Sequence, residues 1–507
     1  MYKRILGASA VGFGAFTWQA DPKEYAYKRP ILFWGTLVPI FAHYKFVEYK
    51  TKDMTDDQQT EIFSKLHVKY APKVLDLVFT LRGLFIKFGQ VACSRPDVLP
   101  QEYRDVFKVL LDNAPHVEGQ AAINMAENAL NCKLDTIFSY FDPIPLGAAS
   151  IGQVHAATLK NGKQVVVKIQ FPETQKAFEL DFINGRTFAK IARPDQMPFM
   201  DEFEKQFKME FDFAREARML KTIGDTIHPH FKNVRIPIPY LEYCTPKCIV
   251  MERFYGQKLM DGFTYRMNEN AVKMGFKDVN AMRQGFDDLK NYNTFHYYTT
   301  IFYKSCRFYL LNGVDLFKSF YNITLGHLFP KFYFNKWHNI DSTSIVKTIF
   351  RVHGHQIFRN GLFNADPHIG NIWLLDDNTI GLLDYGQVKE LSLESIALLK
   401  QLYNGILRND QDMAVNAYLE MGYSSSHNNK QIIFEKMVFS YDREEANYLK
   451  KMNFRQYMDY LEKSDQTKTV AQDAIMVMRT SFLLRGLGAM LTGIKYSTAD
   501  MWREYLK

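Results

Sequence analysis

One segment near the middle of the chain constrains the fold most, because its hydrophobic period differs from that of its surroundings. Residues 150–170 have the sequence SIGQVHAATLKNGKQVVVKIQ, in which β-branched runs flank Asn161-Gly162, a dipeptide that favours a tight hairpin turn. From Thr55 to about Tyr140, apolar residues recur at three- and four-residue spacing, as in KVLDLVFTLRGLFIKFGQVA. The sequence therefore predicts a small sheet that follows a helical region.

The remainder of the chain predicts a second, larger part. Charged helices run from about Thr174 to Ile223, and VRIPIPYLEY and KCIVMERFYG then predict strands. Beyond Tyr255 the pattern is mostly helical, interrupted by the short strands NIWLLD and TIGLLD. With 507 residues, 47% of them hydrophobic and 23% charged, the chain has a globular composition. We expect an α+β fold of two lobes with a cleft between them.

A lysine in the predicted sheet is the first candidate site residue. Lys168 stands in the apolar strand QVVVKIQ, where its ammonium group needs an anion if it is buried. An exposed position on an edge strand is the alternative. The helix FKMEFDFAREARML supplies carboxylates that could pair with Lys168, and Glu216 is the favoured partner, because a strand lysine paired with a helix glutamate positions phosphates.

A second group of candidates lies between two apolar runs further along the chain. The segment GLFNADPHIGN contains Asp366 and Asn371, and GLLDYGQV contains Asp384. Hard divalent cations prefer oxygen ligands, and a loop can direct several at one point. A carboxylate, an amide and a second carboxylate in this order are typical of phosphoryl-transfer folds. The sequence therefore predicts a metal and phosphate site.

Charge and cysteine content limit the remaining classes of function. The net charge of +8 is compatible with an anionic membrane surface or a phosphate ligand. We expect no nucleic-acid partner, because no RNA- or DNA-binding module accompanies the charge. The five cysteines are scattered and odd in number, which favours reduced thiols, and Cys244 and Cys248 have no second pair with which to hold zinc.

The N-terminus leaves two interpretations open. Lys3 and Arg4 precede a mostly apolar stretch from Ile5 to Trp18, and no acid occurs before Asp21. This stretch and the later ILFWGTLVPIFAH are short for a membrane span, which needs roughly 20 residues. The segment fits either an organellar targeting sequence or an ordinary buried or interfacial helix.

Six motifs in order resemble the UbiB family of atypical, protein-kinase-like proteins, also called aarF-domain-containing kinases. The motifs are KFGQ, LGAASIGQVH, VVVK, EFDFAREA, NADPHIGN and LLDYG, and they extend from about Arg82 to Gln387. The resemblance implies a two-lobed kinase-like fold that binds ATP or ADP with Mg²⁺. It also implies a role in coenzyme Q synthesis or lipid handling, and ATPase activity more readily than protein phosphorylation.

The resemblance implies a division of the chain and a role for each matching residue. Residues 1–50 would be a targeting or membrane-associated N-terminus, 51–140 a helical extension, 141–256 the small lobe, and 257–507 the large lobe with a helical insertion at about 276–344. Lys168 would contact phosphates while Glu216 holds it. Asp384 and Asn371 would bind metal, and Asp366 would take the place of the catalytic aspartate. Further nucleotide contacts would come from Gly147, Ala148, Ala149, Ser150 and Glu252.

The KFGQ motif implies a device that closes the cleft. Lys87 and Gln90 would lie across the entrance through which a kinase admits protein substrate, and Glu210 and Asp212 would face them. The alternative is a simple salt bridge between packed helices, worth at most about 1 kcal/mol.

This chain also departs from the family pattern. Asn364 replaces a histidine, Ile369 a proline and Tyr385 a phenylalanine, and Gly147 stands where many members have alanine. The loop from Gly147 to Ser150 takes the place of the usual glycine-rich loop of kinases, and its alanines restrict the close phosphate approach that glycines permit. None of these changes removes a ligand. Tyr385 can fill the apolar pocket of a phenylalanine only if its hydroxyl group finds a partner.

An aromatic and basic insertion is the largest departure. Residues 291–340 hold 16 aromatic residues and one acid, Asp315. This composition suits a membrane interface, a groove for a partner protein, or an extra helical layer on the large lobe. We therefore keep two functions open. One is a magnesium-dependent ATPase or kinase at a mitochondrial membrane, and the other is an accessory subunit of an inner-membrane assembly with little or no catalytic activity.

Overall fold

A computed structural model provides the structure of this chain. It describes residues 22–93, 99–111, 116–148, 151–172, 174–192, 207–282, 341–377, 379–443 and 454–507, together with Met197, Glu204, Gln284, Lys304 and Leu310. The predicted insertion at about 276–344, including the aromatic residues 291–340, lies largely outside the described residues, as do residues 1–21.

Four helices form the N-terminal extension: α1 (Pro22–Lys50), α2 (Asp56–Leu81), α3 (Gly83–Cys93) and α4 (Gln101–Phe107). Their apolar faces share a core that includes Ile40, Tyr70, Ile86 and Phe107. The three- and four-residue spacing found in the sequence places these residues on inward faces. The helical region predicted from Thr55 is confirmed. Helix α1 precedes that region and contains Pro30 and Pro39 within its 29 residues.

The small lobe begins with helices α5 (Gly119–Leu130) and α6 (Leu134–Ile137) and contains an antiparallel sheet in the order β1-β2-β3-β5. Its strands are β1 (Phe138–Ala148), β2 (Gly152–Leu159), β3 (Gln164–Gln170) and β5 (Cys248–Glu252). The turn at Gly162 has φ +83°, which glycine adopts readily, so the predicted hairpin is confirmed. The helical region predicted to about Tyr140 ends at Ile137, and β1 begins at Phe138.

Two further helices are α7 (Thr174–Ala192) and α8 (Phe213–Ile227). Helix α8 packs against β5, whereas α7 packs against α1 and α3 of the N-terminal extension. Helix α8 has a buried stripe that includes Phe213, Leu220 and Ile227. Asp212 caps its first turn by accepting a hydrogen bond from the Arg215 amide at 2.9 Å. The cap fixes where the helix starts, and therefore fixes the height of Glu216 beside the sheet.

One short strand of the large-lobe sheet precedes β5 in the chain. A second sheet has the order β4-β9-β8-β6, and its strands are β4 (Val234–Arg235), β6 (Gly256–Lys258), β8 (Ile372–Leu375) and β9 (Ile380–Leu382). Because β4 pairs with β9, residues 234–235 belong to this sheet and not to the small one. The predicted strand at PYLEY is also wrong, since Leu241–Tyr243 forms a short 3₁₀ helix.

Eight α-helices lie in the described part of this lobe. They are α9 (Leu259–Lys273), α10 (Ser342–His355), α11 (Leu393–Arg408), α12 (Gln411–Glu420), α13 (Lys430–Met437), α14 (Phe454–Ser464), α15 (Gln472–Thr492) and α16 (Thr498–Trp502). Strands β7 (Leu362–Asn364) and β10 (Val388–Glu390) pair beside the loops that carry the candidate aspartates. A large apolar core, with Trp502 and Tyr403 fully buried, holds this lobe together.

Among the described residues, two helical segments have the length and composition to cross a membrane: Lys28–Lys50 and Gln472–Thr492. The second is a core helix, since 67% of its apolar window is buried, against 11% for the first. Helix α1 nevertheless docks on the domain through a buried residue. Arg29 donates to the carboxylate of Asp181 in α7 and to the carbonyl oxygen of Leu81.

Candidate functional site

The predicted lysine and glutamate meet in the small lobe. Lys168 Nζ donates to Glu216 Oε1 at 2.6 Å, and both side chains are nearly buried. Lys168 lies on strand β3, which pairs with β2 on one side and β5 on the other. Glu216 lies in the first turn of α8. Lys168 therefore does not stand on an exposed edge, because strands flank it on both sides.

The two predicted aspartates come to the same cleft from the large lobe. Asp384 Oδ2 lies 3.9 Å from Lys168 Nζ, and the Asp384 side chain is 39% exposed. The Leu383 amide donates to the Asn371 carbonyl oxygen at 3.1 Å, which sets the backbones of Asn371 and Asp384 next to each other. The structure thus brings together the lysine, the glutamate, Asp384 and the backbone of Asn371 at one face of the cleft.

Asp366 is held on both of its carboxylate oxygens. Lys87 Nζ lies 3.2 Å from Oδ2, and Arg479 of α15 donates to Oδ1 at 2.8 Å. Burial alone would raise the pKa of Asp366, but the two cations outweigh it and hold this pKa well below its usual range. In this arrangement Asp366 is a poor proton acceptor.

Lys87 reaches across the cleft from the helical extension to a second carboxylate. Its Nζ lies 3.4 Å from Glu210 Oε1, so it joins Glu210 to Asp366. Gln387 extends the network, since its amide group donates to Glu210 and accepts from Arg479 at 2.5 Å. Burial raises the pKa of Glu210 despite the nearby lysine.

Arg479 was not predicted from the sequence. It stands in the apolar run QDAIMVMRTSFLLRGL, far from every recognised motif. Its side chain is 8% exposed and binds both Asp366 and Gln387. A charged side chain within an otherwise buried helix was the available signal, because such a charge needs a partner.

Several other predicted site residues lie elsewhere. Asp212 caps α8 and lies 3.9 Å from Arg218, so the prediction that it faces Lys87 is corrected. Glu252 is bound by Arg235, so its carboxylate is already engaged. The nucleotide contact of Glu252 stays a prediction.

The predicted nucleotide loop is only partly described. Gly147 and Ala148 end strand β1 opposite Val154 and Gln153, whereas Ala149 and Ser150 lie outside the described residues. Gln90 belongs to helix α3, on the same helix as Lys87. Their predicted contacts with the nucleotide and the cleft stay predictions.

The glycine that follows the loop has a steric role. A Cβ atom at Gly152 would lie 2.4 Å from the carbonyl oxygen of Ile169. A side chain at this position would therefore force β2 away from β3. Close pairing of these two strands sets Gly152 opposite Gln170 and Val154 opposite Lys168.

The site contains one more carboxylate than cation. Four carboxylates, those of Glu210, Glu216, Asp366 and Asp384, face three cations, those of Lys87, Lys168 and Arg479. Burial, together with the charges of Asp384 and Glu210, raises the pKa of Glu216 to about 7 even though Lys168 opposes the shift. The surplus negative charge lies nearest Asp384, the most exposed of the four carboxylates.

Comparison with known proteins agrees with this geometry. The model of the ABC1 atypical kinase-like domain matches residues 109–296 and 331–418, which together exceed half of the chain. A Clostridium pasteurianum protein, described as an uncharacterized protein in the hydrogenase 1 5′ region, is 25% identical over 87% of this chain and 71% of its own length.

Two further relatives carry kinase names. ACTIVITY OF BC1 COMPLEX KINASE 8, a chloroplastic protein of Arabidopsis thaliana, is 28% identical over 68% of this chain. A probable protein kinase UbiB of Pseudomonas fluorescens is 33% identical over 38% of this chain. In each case the chain covers 38% of the relative's own length. The chain therefore belongs to the ABC1 atypical kinase-like family, the UbiB family that its motifs resemble.

Proposed function

We propose that the protein binds ATP or ADP with Mg²⁺ in the cleft between its lobes and hydrolyses ATP or transfers its terminal phosphoryl group. The observation that carries this proposal is the buried pair of Lys168 and Glu216, with Asp384 3.9 Å from the lysine. An ammonium group held by one carboxylate and facing another is poised to contact phosphate oxygens that bring their own metal ion.

The residues present fit a magnesium ion. Mg²⁺ keeps several waters and is bound through one or two carboxylates plus substrate phosphates. Asp384 offers an exposed carboxylate, and Asn371 is its neighbour through a backbone hydrogen bond. Within the described part of the chain, no group of three or more His, Cys, Asp and Glu residues is arranged to hold a metal ion. This finding favours a cation that arrives with nucleotide over a metal held by the protein alone.

When bound, the magnesium ion would neutralise charge that develops on the transferring phosphoryl group. Lys168 would hold the phosphates, and Glu216 would keep the lysine in place. Asp366 would orient the attacking hydroxyl group or water, once at least one of its two cations has moved away. Until then, Lys87 and Arg479 occupy the oxygens that would accept the proton.

The closed network supports ATP hydrolysis over the phosphorylation of protein substrates. Lys87 comes from a helix that lies over the cleft beside Asp366 and Glu210. A peptide would have to displace this buried contact, whereas water needs little room. A hydroxyl group on a small molecule or a lipid is the alternative acceptor of the phosphoryl group, and it is larger than water.

We propose that this activity supports coenzyme Q or lipid metabolism at the mitochondrial inner membrane. UbiB is among the names of the relatives, and helix α1 has exposed apolar residues such as Ile31 and Tyr49. Other relatives are chloroplastic or bacterial, so the mitochondrial location rests on the basic and apolar N-terminal sequence.

The double engagement of Asp366 favours one second candidate. A kinase-like body whose catalytic aspartate stays locked would serve as an accessory subunit of an inner-membrane protein assembly. In that case residues 291–340 would provide the contact with a partner protein.

Steady-state ATP hydrolysis separates the two candidates. The wild-type protein should hydrolyse ATP with Mg²⁺ and lose this activity with a chelator or with Lys168→Met, which removes the phosphate contact. The opposite result is a wild type that binds nucleotide and hydrolyses none, even when lipid vesicles are added. That result would support the accessory role and contradict the proposed enzymatic activity.

A further inference from the structure

A buried chain of hydrogen bonds joins the loops of Asp366 and Asp384 from behind the cleft. Its members are Tyr385, Gln356 and Asn364. Tyr385 follows Asp384 directly, Gln356 opens a π-helical turn at the end of α10, and Asn364 ends strand β7. None of the three belongs to the charged network described above.

Gln356 is the middle of this chain of bonds. Its side-chain nitrogen donates to the Tyr385 hydroxyl oxygen at 3.2 Å. Its side-chain oxygen accepts from the Asn364 backbone amide at 3.0 Å. Gln356 is thus bound to the segment of each aspartate at once.

Asn364 makes the connection to the aspartates themselves. Its side-chain nitrogen donates to the backbone carbonyl oxygen of Asp384 at 2.8 Å. Its side-chain oxygen accepts from the backbone amide of Asp366 at 2.9 Å. One planar amide group therefore sets the separation of the two loops, because both of its ends are bound.

Burial makes these bonds consequential. Gln356 and Tyr385 are fully buried and Asn364 is 6% exposed. A buried polar group that loses its partner keeps the full cost of its desolvation, so the bonds reinforce one another. The π-helical turn Gln356–Asn360 also fits a positioning role, since single π turns are frequent at functional sites.

We propose that Tyr385, Gln356 and Asn364 form a positioning relay that fixes the spacing of Asp366 and Asp384 and so sets the affinity of the cleft for the divalent cation. This inference rests on the proposed function and deepens it. The three residues would act as positioning residues, through the backbones of the two aspartate loops.

The relay gives each of two departures of this chain a structural role. The resemblance to UbiB proteins implies phenylalanine at position 385 and histidine at position 364. The Tyr385 hydroxyl group accepts from Gln356, so it has the partner that burial requires. The Asn364 side chain bonds to the backbones of both aspartates, while the backbone amide of the same residue donates to Gln356.

A magnesium titration tests the relay apart from catalysis. The melting temperature of the full chain is measured with saturating ADP while Mg²⁺ is increased, which gives a half-saturating concentration of Mg²⁺. The variants are Tyr385→Phe, which removes one hydroxyl group, and Gln356→Met, which removes both links. Tyr418→Phe is the control, because it also removes a buried hydroxyl bond, at 3.3 Å to Tyr441 within the large-lobe core.

Loss of a residue that hydrogen-bonds to a metal ligand typically weakens metal affinity by about 10- to 100-fold. We expect the half-saturating Mg²⁺ concentration to rise about tenfold in Tyr385→Phe, to rise further in Gln356→Met, and to stay at the wild-type value in Tyr418→Phe. Unchanged half-saturation in Gln356→Met would overturn the relay, whatever its effect on stability without ligand.

The same experiment separates the two proposals. A wild-type protein whose melting temperature ignores magnesium and ADP would contradict the proposed function and the relay together. A normal wild-type response that both relay variants share would contradict the relay alone. If Tyr385→Phe proves insoluble, Asn364→Asp provides a further test, because it keeps the oxygen that accepts from Asp366 and removes the donor to Asp384.

Discussion

Replacement of Arg479 by glutamine tests how the large lobe holds Asp366. The arginine donates to Asp366 at 2.8 Å and to Gln387 at 2.5 Å, and the side chains of Arg479 and Asp366 are 8% and 11% exposed. Breaking a buried ion pair from one side costs about 3–5 kcal/mol. Because Lys87 still faces the other oxygen of Asp366, we expect the lower end, about 3 kcal/mol.

The expected melting shift follows from that cost. In domains larger than about 150 residues, 1 kcal/mol shifts the melting temperature by about 2–4 °C. Arg479→Gln should therefore melt about 6 °C or more below the wild type at pH 7. Differential scanning fluorimetry of the two proteins side by side measures this difference.

The pH dependence gives a sharper test than the shift itself. The pKa of Asp366 is depressed in the folded state, chiefly by Arg479 and Lys87 against the effect of burial. Such a carboxylate stabilises the fold above its unfolded pKa of about 3.9, and this stabilisation is lost as the pH falls below that value. The difference between wild type and variant should therefore shrink below about pH 4.

Asp366→Asn serves as the matched background for this variant. In that background Arg479→Gln should cost much less than in the wild type, because the charge that the arginine neutralises is gone. A penalty that is the same at pH 7 and pH 3, or the same in both backgrounds, would refute the electrostatic account and assign Arg479 to packing.

Two further predictions concern the cleft. Lys87→Ala removes the cation shared by Glu210 and Asp366, so we expect the nucleotide Kd or the ATP turnover to change about tenfold, which equals about 1.4 kcal/mol. Unaltered values of both quantities would contradict the closing role of Lys87. Burial raises the pKa of Glu216 to about 7, and a divalent cation at Asp384 would lower this pKa. Binding of Mg²⁺ with ADP at pH 7 should therefore release protons, measured by calorimetry in buffers of different ionisation enthalpy, and heats that do not depend on the buffer would contradict this linkage.

Local patterns in the sequence predicted the parts of the site that lie within short motifs. Lys168 stood in a β-branched strand and Glu216 in a helix rich in carboxylates. The pair, which lies in contact at 2.6 Å, was expected because a strand lysine and a helix glutamate form a known device that positions phosphates. The hairpin at Asn161-Gly162 was also predicted, since the turn dipeptide carries its own conformational preference.

Other features depend on contacts that no local pattern reports. Strand β1 contains Pro143 and Pro145 and pairs irregularly with β2, so its sequence lacks a clean alternation. Asp212 was assigned to the cleft although its place before a helix also fits an N-cap. Arg479 and Gln356 reach the site only through tertiary packing, across 113 residues in the case of Arg479 and Asp366.

The most direct test of the central claim is the thermal shift of the purified protein with ADP or ATP, with and without Mg²⁺, beside the variant Asp384→Asn. A ligand that binds only the folded state, present at 100 times its Kd, stabilises that state by about 2.7 kcal/mol and so raises the melting temperature. The account predicts a magnesium-dependent shift in the wild type that the variant loses while keeping its fold. The same shift in both proteins would contradict the metal role of Asp384, and no shift in either would contradict a working nucleotide site.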